Sequence, residues 1–123
     1  MGPEDTIRRF CDAMNANDAD AVAALAHPAI VIQIGPHRAE GIEALREMAR
    51  QAGPETLDSR VEVVDIEGGE GKFEISARRV QRWAETNEIA SEEELSVFID
   101  LDERGLVTRA EMQPKPLGDS PPS

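Results

Sequence analysis

Few residues in this sequence combine a reactive side chain with a setting that could use it. His37 titrates near neutral pH and follows an apolar run within Gly35-Pro36-His37-Arg38, which reads as a turn or loop. Plain solvent exposure in a loop is the simpler account of such a histidine. His27 precedes Pro28 and reads as a helix-end contact. Cys11 falls on the apolar side of a helix, where a thiol acts as a small hydrophobe unless a cation or base adjoins it. The sharpest signal comes from the strand spanning 72–83. Its alternate residues are Phe73, Ile75, Ala77, Arg79, Gln81 and Trp83 on one face, and Lys72, Glu74, Ser76, Arg78, Val80 and Arg82 on the other. The first face is apolar and faces inward, so Arg79 and Gln81 are polar intrusions on it. An inward arginine either reaches solvent at an open end or pairs with a carboxylate or a bound anion. In the functional reading, Arg79 and Gln81 orient the polar group of an otherwise apolar ligand.

Other candidates have plainer explanations. Asp12 is off the apolar face of its helix, and Asp100 and Asp102 flank a turn. Glu92-Glu93-Glu94 reads as a solvated entry into a strand. Gly68-Gly69-Glu70-Gly71 is a turn leading into a strand, whereas a phosphate cradle would lead into a helix.

These residues are positioned by a simple order of elements. Pro3, Glu4 and Asp5 suit the first turn of a helix that carries Ile7, Phe10, Cys11 and Met14 on one face. Asn15-Ala16-Asn17 ends it, and Asp18 can cap a short second helix with Ala21, Val22 and Leu25 inward. His27-Pro28 stops that helix. Residues 29–34 are rich in β-branched side chains and predict a strand. Gly41 introduces a third helix with Ile42, Leu45, Met48, Ala49 and Ala52 on one side, ended by Gly53-Pro54. Four strands follow: 60–67, 72–83, 93–102 and 106–113, with 84–92 as a polar loop and Asp102-Glu103-Arg104-Gly105 as a tight turn. Adjacent Val63 and Val64 break the alternation, which predicts a bulge or a strand covered on both faces. Residues 1–113 make one domain, and 114–123, with four prolines, read as an extended disordered tail. Helices gathered before an antiparallel meander mean an α+β fold, with three N-terminal helices packed on one face of a curved sheet.

Composition narrows the function classes. The chain has 123 residues with a formal net charge of −12. That balance opposes nucleic acid or an anionic membrane surface as partner, because phosphates are repelled. No apolar run approaches the roughly 20 residues of a membrane span, and no signal peptide is visible. The sole cysteine excludes an intramolecular disulfide, and no Cys/His cluster has zinc spacing. A cytoplasmic protein without metal or cofactor is the expectation.

The order of elements, with three local stretches, resembles the SnoaL-like members of the nuclear-transport-factor-2-like superfamily. The stretches are Ile7–Phe10 running to Asn17-Asp18, Ala39-Glu40-Gly41 running to Leu45, and Glu93 to Arg109. The resemblance implies a cone: a curved sheet wrapped round the helices, with a pocket at the wide end and homodimers paired through the outer sheet face. The superfamily includes cyclases, ketosteroid isomerases, epoxide hydrolases, dehydratases and proteins that only bind, so fold leaves activity open.

Residue by residue, the chain departs from the catalytic patterns. In limonene-type epoxide hydrolases an arginine, an aspartate two residues later and a second aspartate on the last strand line the pocket. The arginine matches Arg79, but the aspartates fall on Gln81 and near Met112. Gln81 can position water but is no general base at neutral pH. The ketosteroid isomerase pattern needs an aspartate on the first strand and a tyrosine. This strand reads Ile32-Gln33-Ile34, and the chain has no tyrosine. The expected pocket is lined by Phe10, Met14, Ile32, Phe73, Ile75, Trp83, Val97 and Met112. Arg79, Gln81 and His37 are the candidates for chemistry. The expected function is binding of a small hydrophobic metabolite, with cyclase, isomerase or epoxide hydrolase action left open. The alternative is a non-catalytic dimeric interaction module.

Overall fold

The computed structural model describes residues 2–50 and 57–114. The first helix, α1, spans Pro3–Asn15, with Pro3 at a position where no N–H partner is needed. Ile7 and Phe10 turn into the core. Asp18 caps α2 (Ala19–Ala24), accepting a hydrogen bond from the Ala21 N–H at 3.1 Å. Strand β1 (Ala26–Ile34) and the short β2 (His37–Glu40) precede α3 (Ile42–Arg50). Then come β3 (Leu57–Gly69), β4 (Lys72–Trp83), β5 (Ile89–Leu101) and β6 (Val107–Pro114).

The six strands form one curved sheet in the order β2-β1-β6-β5-β4-β3. β1 runs parallel to β6, and the other neighbours are antiparallel. The first and last parts of the sheet thus meet at its centre, leaving β2 and β3 as edges. The helices cover the concave face. Ile7, Phe10 and Leu45 pack into one cluster with Ile30, Ile75, Leu95, Ile99 and Val107, of which the last five are at most 1% exposed. Each such side chain contributes roughly 1.5–3 kcal/mol by leaving water.

Three sequence expectations are corrected. The turn or loop expected over 35–38 is a turn of two residues only, Gly35-Pro36. Ile34 pairs with His37, and Gly35, at φ +59°, supplies the left-handed backbone this tight turn needs. His37 and Arg38 therefore belong to a strand. β1 also starts earlier than residue 29: Ala26 pairs with Val107, and the ladder is interrupted around Pro28, which has no N–H to give. The strand start expected at residue 93 shifts too: β5 begins at Ile89, so the end of the expected loop 84–92 is strand and the acidic run 92–94 lies inside it. Arg78 pairs with Glu94 and Arg79 with Glu93, so charges of opposite sign face each other across β4 and β5.

The double valine resolves as a bulge. Val63 pairs with Ala77 and Asp65 with Ser76, leaving Val64 extra and 62% exposed. Of the tail expected at 114–123, Pro114 instead ends β6 opposite Leu95; the rest of it, and the expected contributions of Ala52 and Gly53-Pro54 to the third helix, lie outside the described residues.

Candidate ligand-binding site

The concave face does not close completely on the helices. A cavity of about 510 Å³ remains between α1, α3 and the strands. Phe10, Cys11 and Met14 project into it from α1, at the spacing that puts them on one helix face. Leu45 and Met48 do the same from α3. The strand walls are alternate residues: Ile32 and Ile34, Val97 and Ile99, Ala110 and Met112. Leu57, Ser59 and Val61 of β3 and Gln81 of β4 complete the circuit.

The polar side chains of the wall are neutral. Gln81 Oε1 accepts from the Ser91 hydroxyl at 2.7 Å, which orients the carboxamide and leaves its N–H2 without a protein partner among the described residues. Asn15 makes two bonds to one residue of the edge strand. Its Nδ2 donates to the Val61 carbonyl at 2.8 Å, and its Oδ1 accepts from the Val61 N–H at 2.9 Å. The carboxamide thus substitutes for a neighbouring strand at Val61 and clamps the end of α1 to β3. Asp58 and Glu111 also border the cavity, but parity turns their carboxylates to the convex face. There Asp58 meets Arg60 at 3.5 Å, and Glu111 meets Arg109 at 2.9 Å. Hydrogen bonds from the Gln113 side chain and from Arg109 hold the Glu111 carboxyl below its ordinary range.

Among the described residues the titratable side chain that does face the cavity is Cys11. Burial pushes its thiol up to about 11, with a smaller push from Asp12 and a weak opposing pull from Arg8. At neutral pH it is a protonated, apolar wall element and no nucleophile.

The expected site residues divide sharply. Phe10, Met14, Ile32, Gln81, Val97 and Met112 border the cavity. Phe73 and Ile75 share the concave face but lie in the packed core, 8% and 0% exposed. Trp83 is 48% exposed at the far end of β4, where its N–H and C=O close the hairpin to Glu88 and Asn87. His37 stands exposed on edge strand β2, and His27 Nδ1 accepts from the Ala29 N–H at 2.9 Å; neither borders the cavity. Arg79 lies just behind the wall. Its Nη2 is 3.5 Å from the Met112 sulfur and its Nη1 3.9 Å from Glu93, with the side chain 31% exposed.

The positions expected to carry arginine and two aspartates in a limonene-type site thus do come together as Arg79, Gln81 and Met112, but without a carboxylate. Among the described residues no three His, Cys, Asp or Glu side chains converge as a metal site would require.

Sequence reasoning missed Asn15, Ser59 and the full sulfur content of the wall. Met48 had a usable signal, three residues after Leu45 on the same helix face. Asn15 had none, since a helix-ending asparagine and a strand clamp look alike in sequence. Ser59 was lost because β3 begins before residue 60.

Comparison with known structures supports the architecture. A candidate polyketide cyclase from Sinorhizobium meliloti superposes with a TM-score of 0.73 at 21% identity, over 89% of this chain and 94% of that one. An LEH-like epoxide hydrolase of M. tuberculosis gives 0.72 at 14% identity, over 89% and 80%. A candidate ketosteroid isomerase from Kribbella flavida gives 0.72 at 17% identity, over 98% and 83%. At these identities the likeness is one of fold. No curated protein matches the sequence significantly. The family signature of the SnoaL-like domain matches residues 7–105, and the chain belongs to that family.

Proposed function

We propose that the protein binds a small, predominantly apolar, uncharged molecule in the cavity between α1, α3 and the sheet, anchored by the Gln81 carboxamide. The observation that carries this reading is the chemistry of the wall. It is apolar, its polar side chains are amides and a hydroxyl, and Gln81 and Met112 stand where paired carboxylates would activate water. A volume of about 510 Å³ suits a small ligand. The three structural neighbours are named for reactions on small molecules, which is consistent with a cavity that holds one. Among the described residues no carboxylate or imidazole side chain turns into the wall to serve as the general base of such acid–base reactions.

The lone buried thiol suits a reducing cytoplasm, and no helix among the described residues is long and apolar enough to cross a membrane. We take the working unit to be a homodimer paired through the convex face. Arg78 lies there between Glu62 and Glu94, an alternation of sign that a second copy can complement.

The test is titration of N-phenyl-1-naphthylamine, an uncharged fluorophore, into wild type and Ala110→Trp. Wild type binds one molecule per chain, and the bulky side chain on the cavity wall removes binding while the fold persists by circular dichroism. Equal binding by both proteins would place the ligand elsewhere. Turnover of an epoxide or a β,γ-unsaturated ketone by wild type would overturn the absence of catalysis.

A further inference from the structure

The chain's sulfur is concentrated in one place. Beyond Met1, which lies outside the described residues, the sulfur-containing residues are Cys11, Met14, Met48 and Met112, and all four border the cavity. The rest of the buried core is Ile, Val, Leu, Ala and Phe, with no methionine. The placement is not a consequence of one segment. Met14 comes from α1, Met48 from α3 and Met112 from β6, so three separate elements each direct a thioether to the same space.

The physical difference between the two groups is stiffness. Ile and Val have a branched Cβ that restricts χ1, and a core built of them has one good packing. Methionine is unbranched, with three rotatable bonds and a polarizable sulfur, and it refills irregular space at small energetic cost. The three methionines are all partly exposed, whereas Ile99 beside them is fully buried. The wall therefore combines a fixed floor on the sheet with movable flanks.

We infer that Met14, Met48 and Met112 make the cavity an adjustable site, one that accepts uncharged apolar molecules of different shape with similar affinity and is selective for their single hydrogen-bond acceptor. The acceptor is received by the Gln81 N–H2, which has no protein partner among the described residues and is oriented by the bond from Ser91 to Gln81 Oε1. This inference rests on the binding reading above and assigns the width of its specificity to three residues.

Three ketones that share twelve carbons and one carbonyl but differ in shape provide the test: cyclododecanone is a disc, 4-cyclohexylcyclohexanone a rod and 1-adamantyl methyl ketone a ball. Their dissociation constants are measured by displacement of N-phenyl-1-naphthylamine from wild type and from Met14→Leu/Met48→Leu/Met112→Leu. Leucine conserves volume but is branched and stiffer, and such swaps are well tolerated in cores. Wild type should bind all three within about threefold of one another, and the triple variant should spread them by about tenfold or more.

A tenfold spread already present in wild type overturns the inference, whether or not the variant folds. So does a narrow spread in both proteins, because the methionines then play no part. If none of the ketones displaces the probe from folded wild type, it is the binding reading itself that fails.

Discussion

The two faces of this sheet are built from alternate residues of the same strands, yet their chemistry is opposite. On the concave face Ile75 and Ile99 are fully buried and Val97 is 6% exposed. On the convex face the register sets Glu62, Arg78 and Glu94 in one row, and Arg60, Val80 and Glu92 in the next. Val80 is only 5% exposed there, yet stands outside the core cluster of the concave side. The difference teaches where to look for function. A charge on the convex face is ordinary. A polar group on the concave face is costly unless it has a partner, and Gln81, Asn15 and Arg79 each have one. Of the two that border the cavity, Asn15 spends one N–H on Val61, whereas neither Gln81 N–H has a protein partner among the described residues.

The contrast should be largest in stability. Ile99→Ala removes a fully buried side chain that the sheet cannot replace, and should cost about 2–5 kcal/mol in urea denaturation. Arg78→Ala, on the convex side of the neighbouring strand, should cost the single chain less than about 1 kcal/mol, because Arg78 is exposed and only stands opposite Glu62 and Glu94 in the ladder. Equal costs would erase the distinction between the faces.

The thiol provides the next test. Cys11 is raised from an ordinary 9.0 to about 11, so its thiolate fraction at pH 7 falls by about a hundredfold. Iodoacetamide should label the native protein correspondingly slowly and the urea-unfolded chain at the rate of a free cysteine. Rapid native labelling would mean that the cavity wall is wet at α1.

A smaller effect is expected at the clamp between helix and edge strand. Asn15→Ala loses both bonds to Val61 and should destabilise by about 1–3 kcal/mol. Hydrogen exchange at the Val61 amide should accelerate beyond that of its strand neighbours. Uniform acceleration along β3 would instead mean that Asn15 acts only through global stability.

The smallest effect lies at the β5–β6 turn, far from the cavity. The Asp102 carboxyl is held below its usual 3.8, first by the Leu106 N–H and then by that of Arg104. A depressed carboxylate stabilises the fold at pH values above its unfolded pKa, and the contribution is lost as pH falls through the lower folded value. Glu111 acts with the same sign. Asp102→Asn should flatten the fall of Tm with acid between about pH 5 and pH 2. An unchanged slope would assign acid sensitivity elsewhere.

Most of this fold is legible in sequence because it rests on periodicity. The spacing of Ile7, Phe10, Cys11 and Met14 and the alternation from Phe73 to Gln81 survive any detail of packing. What escaped depends on partners distant in the chain. The strand character of Ser91 and Glu92 comes from Gln81 and Val80 opposite, and the role of Asn15 comes from a strand 46 residues away. Trp83 shows the limit of parity. It has the concave phase of β4, but beyond the register shift at Gln81/Arg82 it is 48% exposed and does not border the cavity, so phase names a face and not a contact. The cavity's edges were unreadable for the same reason: where a concave row stops lining space and starts filling core is set by how far α1 lies along it.

The most direct test of the central claim uses two fluorophores with one skeleton. N-phenyl-1-naphthylamine is uncharged, and 8-anilinonaphthalene-1-sulfonate is the same molecule with a sulfonate. A wall of neutral donors on a chain of net charge −12 should bind the uncharged probe at least about tenfold more tightly, and Gln81→Leu should leave that preference in place. Equal or tighter binding of the sulfonate would contradict the account, and would point to Arg79 turning into the cavity to receive an anion.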